Sequence, residues 1–219
     1  MKKRVTAIAL VIAVFAIAVA GATLAYFTDT SEVAKNTFTV GDVQITLDEA
    51  EVDEYGNVIS EKRVTENDYL LVPGHTYVKN PTTTVKEGSE PCYVRMLVTP
   101  SDMAKLTAAF PKETWPEFYS EDGKVFLLQC LVNGWDDATW TVDPAWAYKN
   151  GTYEFRYKDI VDARKAEQEL AALFTEVKIP AEIEQTALAE LQELDIEIVA
   201  QAIQADGFED ADAAWAEFK

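Results

Sequence analysis

The chain has 219 residues, of which 38 are acidic and 19 basic, with one histidine and a formal charge of −19. This balance argues against nucleic acid or an anionic membrane as partner, because both reward clustered Lys and Arg. With 48% apolar and 11% aromatic residues, the chain can build a real core, so it is not read as disordered.

The front of the chain is the most informative stretch. Lys2, Lys3 and Arg4 form a cationic head, followed by a run from Val5 to Ala20 that is apolar but for Thr6. Small residues then lead to Thr23, Leu24 and Ala25, with Thr23 and Ala25 at −3 and −1 of a cut after Ala25. This is the layout of a secretory signal-peptide helix over residues 1–25. An uncleaved anchor is the alternative, since about 20 apolar residues span a bilayer. That segment is the chain's one expected membrane contact. Its removal takes away three positive charges and moves the net charge from −19 to −22. Cys92 and Cys130 both fall in the exported part. A disulfide between them would stabilise by roughly 3–4 kcal/mol; two buried thiols on neighbouring strands is the other reading.

Val43, Ile45 and Leu47 alternate with Gln44 and Thr46 as a half-buried strand. The acids from Asp48 to Glu54 then read as a solvated loop, or as a weak calcium-binding loop without EF-hand spacing. Tyr55-Gly56-Asn57 is a turn before Val58-Ile59, which suggests a hairpin. Pro73-Gly74 marks another turn, with extended chain from Thr76 to Lys79. From Cys92 to Thr99, Val94, Met96 and Val98 share one face, while Tyr93, Arg95 and Leu97 share the other, as in a strand at the centre of a sandwich.

Ser101 caps an expected short helix to Phe110. Strands are expected from Val125 to Val132 and around Tyr153, Phe155 and Tyr157. Trp135, Trp140 and Trp146 lie between them, suited to packing more than to binding a sugar. A helix from Ala181 to Leu191 precedes a strand in which Ile196, Ile198, Ala200 and Ala202 alternate with Glu197, Val199 and Gln201. The tail after Asp206-Gly207 is helix-like. Several short strands and a few short helices indicate an all-β fold, a jelly-roll or Ig-like β-sandwich with helical insertions over residues 41–219.

Catalytic motifs are missing. His75 is the single histidine, and neither HExxH, GxSxG nor a glycine-rich phosphate loop occurs. No catalytic residue and no metal ligand is nominated. The chain reads as a non-enzyme.

The pattern Gly21-x-Thr23-x-Ala25-Tyr26-Phe27-x-Asp29, then Asn36-Thr37-Phe38-x-x-Gly41 and the strand VQITL, resembles the TasA/camelysin family of exported bacterial matrix proteins. Weaker matches are Pro73-Gly74, Lys79-Asn80-Pro81 and Pro91-Cys92-Tyr93-Val94-Arg95. The resemblance implies a secreted jelly-roll protein of the extracellular matrix or cell surface. A SipW-type signal peptidase would cut it in the region Thr23, Leu24, Ala25, Tyr26 and Phe27. It also implies self-association into fibres by donor-strand exchange, in which an extended segment completes the sheet of the next subunit. Residues 26–40 would be the donor, anchored by Phe27, Phe38 and Val40. An adhesin-like module for glycans or host proteins is the alternative, and a camelysin-type metallopeptidase a remote one.

Overall fold

Alternation of apolar and polar residues sets the centre of the molecule. A computed structural model describes residues 28–31, 43–119, 131–142, 148–149, 151–192 and 194–218. The first strands are β1 (Thr28–Ser31), β2 (Ile45–Val52), β3 (Val58–Val64), β4 (Thr76–Val78), β5 (Thr82–Val85) and β6 (Cys92–Pro100). Helix α1 (Met103–Ala109) precedes β7 (Val132–Asn133), β8 (Trp140–Thr141), β9 (Tyr148–Lys149) and β10 (Thr152–Tyr157). The chain continues through β11 (Gln168–Glu169), β12 (Glu176–Lys178), α2 (Gln185–Gln192), β13 (Ile196–Gln204) and α3 (Ala211–Glu217).

These strands form an all-β sandwich of antiparallel sheets with short helices added, as the sequence indicates. The largest sheet has the order β1-β13-β6-β10-β8, with β9 on β10. A second runs β11-β5-β2-β3, and a small third runs β4-β12-β7. The β6–β13 pair is the backbone of the fold, in continuous register from Ile196↔Pro100 to Gln204↔Cys92. Along β6 the expected alternation is realised: Cys92, Val94, Met96 and Val98 are buried, and Tyr93, Arg95 and Leu97 are half-buried. Ala200 and Ala202 of β13 lie opposite Met96 and Val94. With Ile45 and Val85 from the facing sheet they form one continuous core. Burial of each large side chain there contributes about 1.5–3 kcal/mol.

Three local expectations need correction. The acids after Leu47 are not a solvated loop: β2 runs on through Asp48, Glu49 and Glu51, and the turn begins only at Asp53. The strand persists because each acid near the core finds a donor, as described below. The cap of α1 is Asp102 rather than Ser101, with its carboxylate accepting from the N–H groups of Ala104 and Lys105. Helix α2 starts at Gln185, four residues later than expected, after a turn at Pro180. The strand expected from Val125 reaches the described residues only at its end, in β7, and Trp146 lies outside them.

The hairpin at Tyr55-Gly56-Asn57 forms as read. Gly56 has φ of 76°, and a Cβ there would stand 2.5 Å from the Tyr77 Cα, so conformation and close approach both demand glycine. Trp140 is wholly buried, its Nε1 donating to the Ala171 carbonyl at 3.0 Å and its ring edge-on to Tyr157. Packing, not sugar binding, is the use made of it. Among the described residues no helix is long and apolar enough to cross a membrane.

The outer face of the large sheet carries a second cluster. Trp215 and Ala214 of α3 cover Ile203, with Tyr93, Phe208 and Phe218 around them. The Arg95 guanidinium lies 4.2 Å from the Trp215 ring centroid and 4.9 Å from that of Phe218. It donates to Glu154 at 3.0 Å and to Gln201 at 2.7 Å. A half-buried arginine outside the core is thus stacked and paired at once, which fixes the C-terminal helix to the sheet.

Candidate functional site: the N-terminal strand and the sheet edges

Only residues 28–31 of the 26–40 segment are among those described, and they form β1 on the edge of the largest sheet. The register is Thr28↔Ile203, Asp29↔Ala202, Thr30↔Gln201 and Ser31↔Ala200, antiparallel. Thr at 28 and 30 favours extended backbone, which suits this short strand. Its partner β13 is bonded along its whole length to β6 on the other side. From Ile196 to Val199 the outer edge of β13 is hydrogen-bonded to no other strand among the described residues, although Leu47, Asp48 and Glu49 of β2 lie beside Ile196 and Ile198. β1 therefore covers about half of an otherwise unpaired edge.

The opposite sheet ends on β3, whose outer edge is unpaired among the described residues. Val58 and Ile59 there are more than half exposed, at 55% and 59%. The strand continues as Ser60-Glu61-Lys62-Arg63, and such charges discourage unplanned edge-to-edge pairing. Register slips between Ala50 and Val52 of β2, which adds a bulge beside this edge.

The other nominated residues divide as follows. Thr23, Leu24, Ala25, Tyr26 and Phe27 of the cleavage region, and the anchors Phe38 and Val40, lie outside the described residues, as does Cys130. Cys92 is a free, fully buried thiol at the start of β6, and burial pushes its pKa up to about 12. A thiol so held stays protonated and unreactive at neutral pH. His75 sits in the turn after Gly74, with Nε2 2.7 Å from the Tyr55 carbonyl and its ring edge-on to Tyr77.

Of the acids from Asp48 to Glu54, Asp53 shapes the turn. Its Oδ1 accepts from the N–H groups of Tyr55 and Asn57, and the Asn57 amide donates to both oxygens. These bonds, the Asn57 side chain foremost, hold its pKa below the usual carboxylate value. Among the described residues no three His, Cys, Asp or Glu side chains are grouped to hold a metal ion.

One arrangement escaped the sequence reading. Glu49, 5% exposed, takes both carboxylate oxygens to the Lys79 ammonium at 2.8 and 3.1 Å, and accepts from the Asn67 amide. Asn67 in turn bonds the Val52 N–H and the Ala50 carbonyl, so one side chain ties the loop after β3 to β2. Had the alternation of Ile45 and Leu47 been continued, Glu49 would have fallen on their face. A carboxylate placed there needs a cation.

The family model for the camelysin metallo-endopeptidases matches residues 1–76. No curated protein and no solved structure matches the chain. The matched stretch holds the expected export boundary, β1, the β2–β3 hairpin and the turn at Gly74. Over residues 1–76 the resemblance to the TasA/camelysin family drawn from the boundary motifs is thus supported by the family's own model.

Proposed function

We propose that this chain is an exported structural subunit of the cell surface or biofilm matrix, and that it assembles through residues 26–40 by donor-strand exchange. The observation that supports this reading is the pairing of Thr28–Ser31 with Ala200–Ile203 at a sheet edge. A four-residue edge strand is held by few backbone bonds, each worth roughly 1 kcal/mol net. The same bonds can be made by the equivalent strand of a second copy, at little difference in energy. The rest of the β13 edge, from Ile196 to Val199, has backbone groups that no described strand pairs, which a longer donor could bond. A SipW-type signal peptidase would free the segment by cutting beside Ala25. At a mature charge of −22, repulsion opposes assembly at low salt, so calcium or mild acid should promote it.

The test compares two purified forms, one beginning at Tyr26 and one at Gly41, by electron microscopy and sedimentation. Filaments from the longer form alone are expected, faster with calcium or at mildly acidic pH. Monomers from both forms under every condition would overturn the proposal, and an adhesin-like module would then lead. Equal rates in chelator at pH 8 would remove the cation and acid dependence.

The family's description as metallo-endopeptidases favours a second reading. We propose a non-enzyme, since the sequence has one histidine and no HExxH. Hydrolysis of casein by the purified chain with added zinc, abolished by chelator and retained through chromatography, would reverse that.

A further inference from the structure

Beside the Glu49–Lys79 pair the fold leaves a cleft of about 600 Å³, which shares Ile196 and Glu197 with the β13 edge and is otherwise built away from β1. Its floor is apolar, made by Leu131, Val177 and Ile179 of the small sheet region with Leu191 of α2. Tyr69 forms one wall, its ring edge-on to Tyr77 at 5.7 Å, and burial raises the phenol's pKa further with help from the Glu49 charge. The half-buried polar side chains of the wall are already matched. Lys79 is neutralised by Glu49, the Asn67 amide is bonded at both ends, and the Tyr69 hydroxyl donates to the Val78 carbonyl. At the mouth stand four exposed carboxylates, Glu66, Asp68, Asp195 and Glu197. Among the described residues no basic side chain other than the paired Lys79 lines the cleft.

We propose that this cleft binds a small organic cation with an apolar body, of the class of protonated alkyl or arylalkyl amines. The size lies within the ordinary range for small-molecule sites, about 300–1,000 Å³. An apolar floor contributes about 0.8 kcal/mol for each CH2 removed from water. The carboxylates at the mouth attract an ammonium group and repel an anion, and the excess negative charge of the whole chain adds to both effects. A matched interior leaves no donor or acceptor waiting for a polar ligand body. The ligand therefore lies with its chain on Val177 and Ile179 and its ammonium among Asp68, Asp195 and Glu197. The assignment does not rest on strand exchange, although the two share Ile196 and Glu197.

The experiment titrates the secreted protein, labelled with 15N, with n-hexylamine, n-hexanol, hexanoate and methylammonium at constant ionic strength. Saturable shifts at the amides of Tyr69, Val177, Ile179 and Leu194 are expected with hexylamine, weaker ones with hexanol, and none with hexanoate or methylammonium. The double variant Asp195→Asn/Glu197→Gln, altered only at exposed positions, should weaken hexylamine by about tenfold and leave hexanol unchanged. Val177→Phe should abolish binding by filling the floor, with its thermal unfolding followed to establish that the fold is kept. Equal affinity for hexylamine and hexanol, shifts scattered over the acidic surface, or no saturable shift at all would each overturn the proposal.

Discussion

Met96 and Ala200 face each other inside an unbroken nine-pair register, with apolar neighbours on every side of the inner face. Across the same core, β2 meets β3 through an interrupted register with Asp48 bound to Arg63 and Glu51 to Ser60, and Glu49 of β2 pairs with Lys79 after β4. Three successive threonines, Thr82 to Thr84, are buried on β5 of that sheet. The inner face of the first sheet is held by apolar contact, which any well-packed set of side chains could supply, and the polar bonds of Arg95 with Glu154 and Gln201 lie on the outer face. The second depends on particular partners. A polar sheet of this kind tolerates less when one member of a pair is removed, but it gives little when an exposed member is removed. The difference between the two sheets lies in where stability is lost.

The largest expected effect tests the apolar sheet. Phe155→Ala, at a side chain 1% exposed, should cost about 3–5 kcal/mol and lower the urea midpoint accordingly. A cost under about 1 kcal/mol would mean that the large sheet is not the main core. Next comes Glu49→Ala, which leaves the Lys79 ammonium without its carboxylate. Because Lys79 keeps 15% side-chain exposure, the cost should be about 2–3 kcal/mol, short of the full value for a buried pair. The double change Glu49→Leu/Lys79→Met should recover much of that loss, since two apolar groups leave nothing unpaired. If the double variant is as unstable as the single one, the pair serves through Asn67 rather than through charge. The smallest effect is expected at Arg63→Ala, which breaks a pair at the surface and should cost about 0.5 kcal/mol. An Arg63 loss larger than the Glu49 loss would reverse the ranking of buried over exposed pairs.

Much of the architecture was legible in the residues. Cys92 to Thr99 and Ile196 to Ala202 alternate with period two, and period two has one meaning for a strand whose face is buried. Tyr55-Gly56-Asn57 announced its hairpin through glycine's freedom at positive φ. The Asp48–Glu51 stretch was misread because acids are normally solvated, and the exception rests on Lys79 and Asn67, each well over ten residues away. No local pattern reports such a partner. For the same reason the role of Arg95 became visible only with Trp215 and Phe218 stacked on it.

The sequence alone determined the signal-like front, the strand-rich class, the hairpin and the family resemblance, because charge order, periodicity and turn chemistry are local properties of the chain. Only the tertiary structure decided that Thr28–Ser31 lies against Ala200–Ile203. It also decided that Glu49 is neutralised inside the fold and that an acid-rimmed cleft opens beside Lys79. Each of these joins residues far apart in the chain, and what brings them together is burial shared across the whole fold.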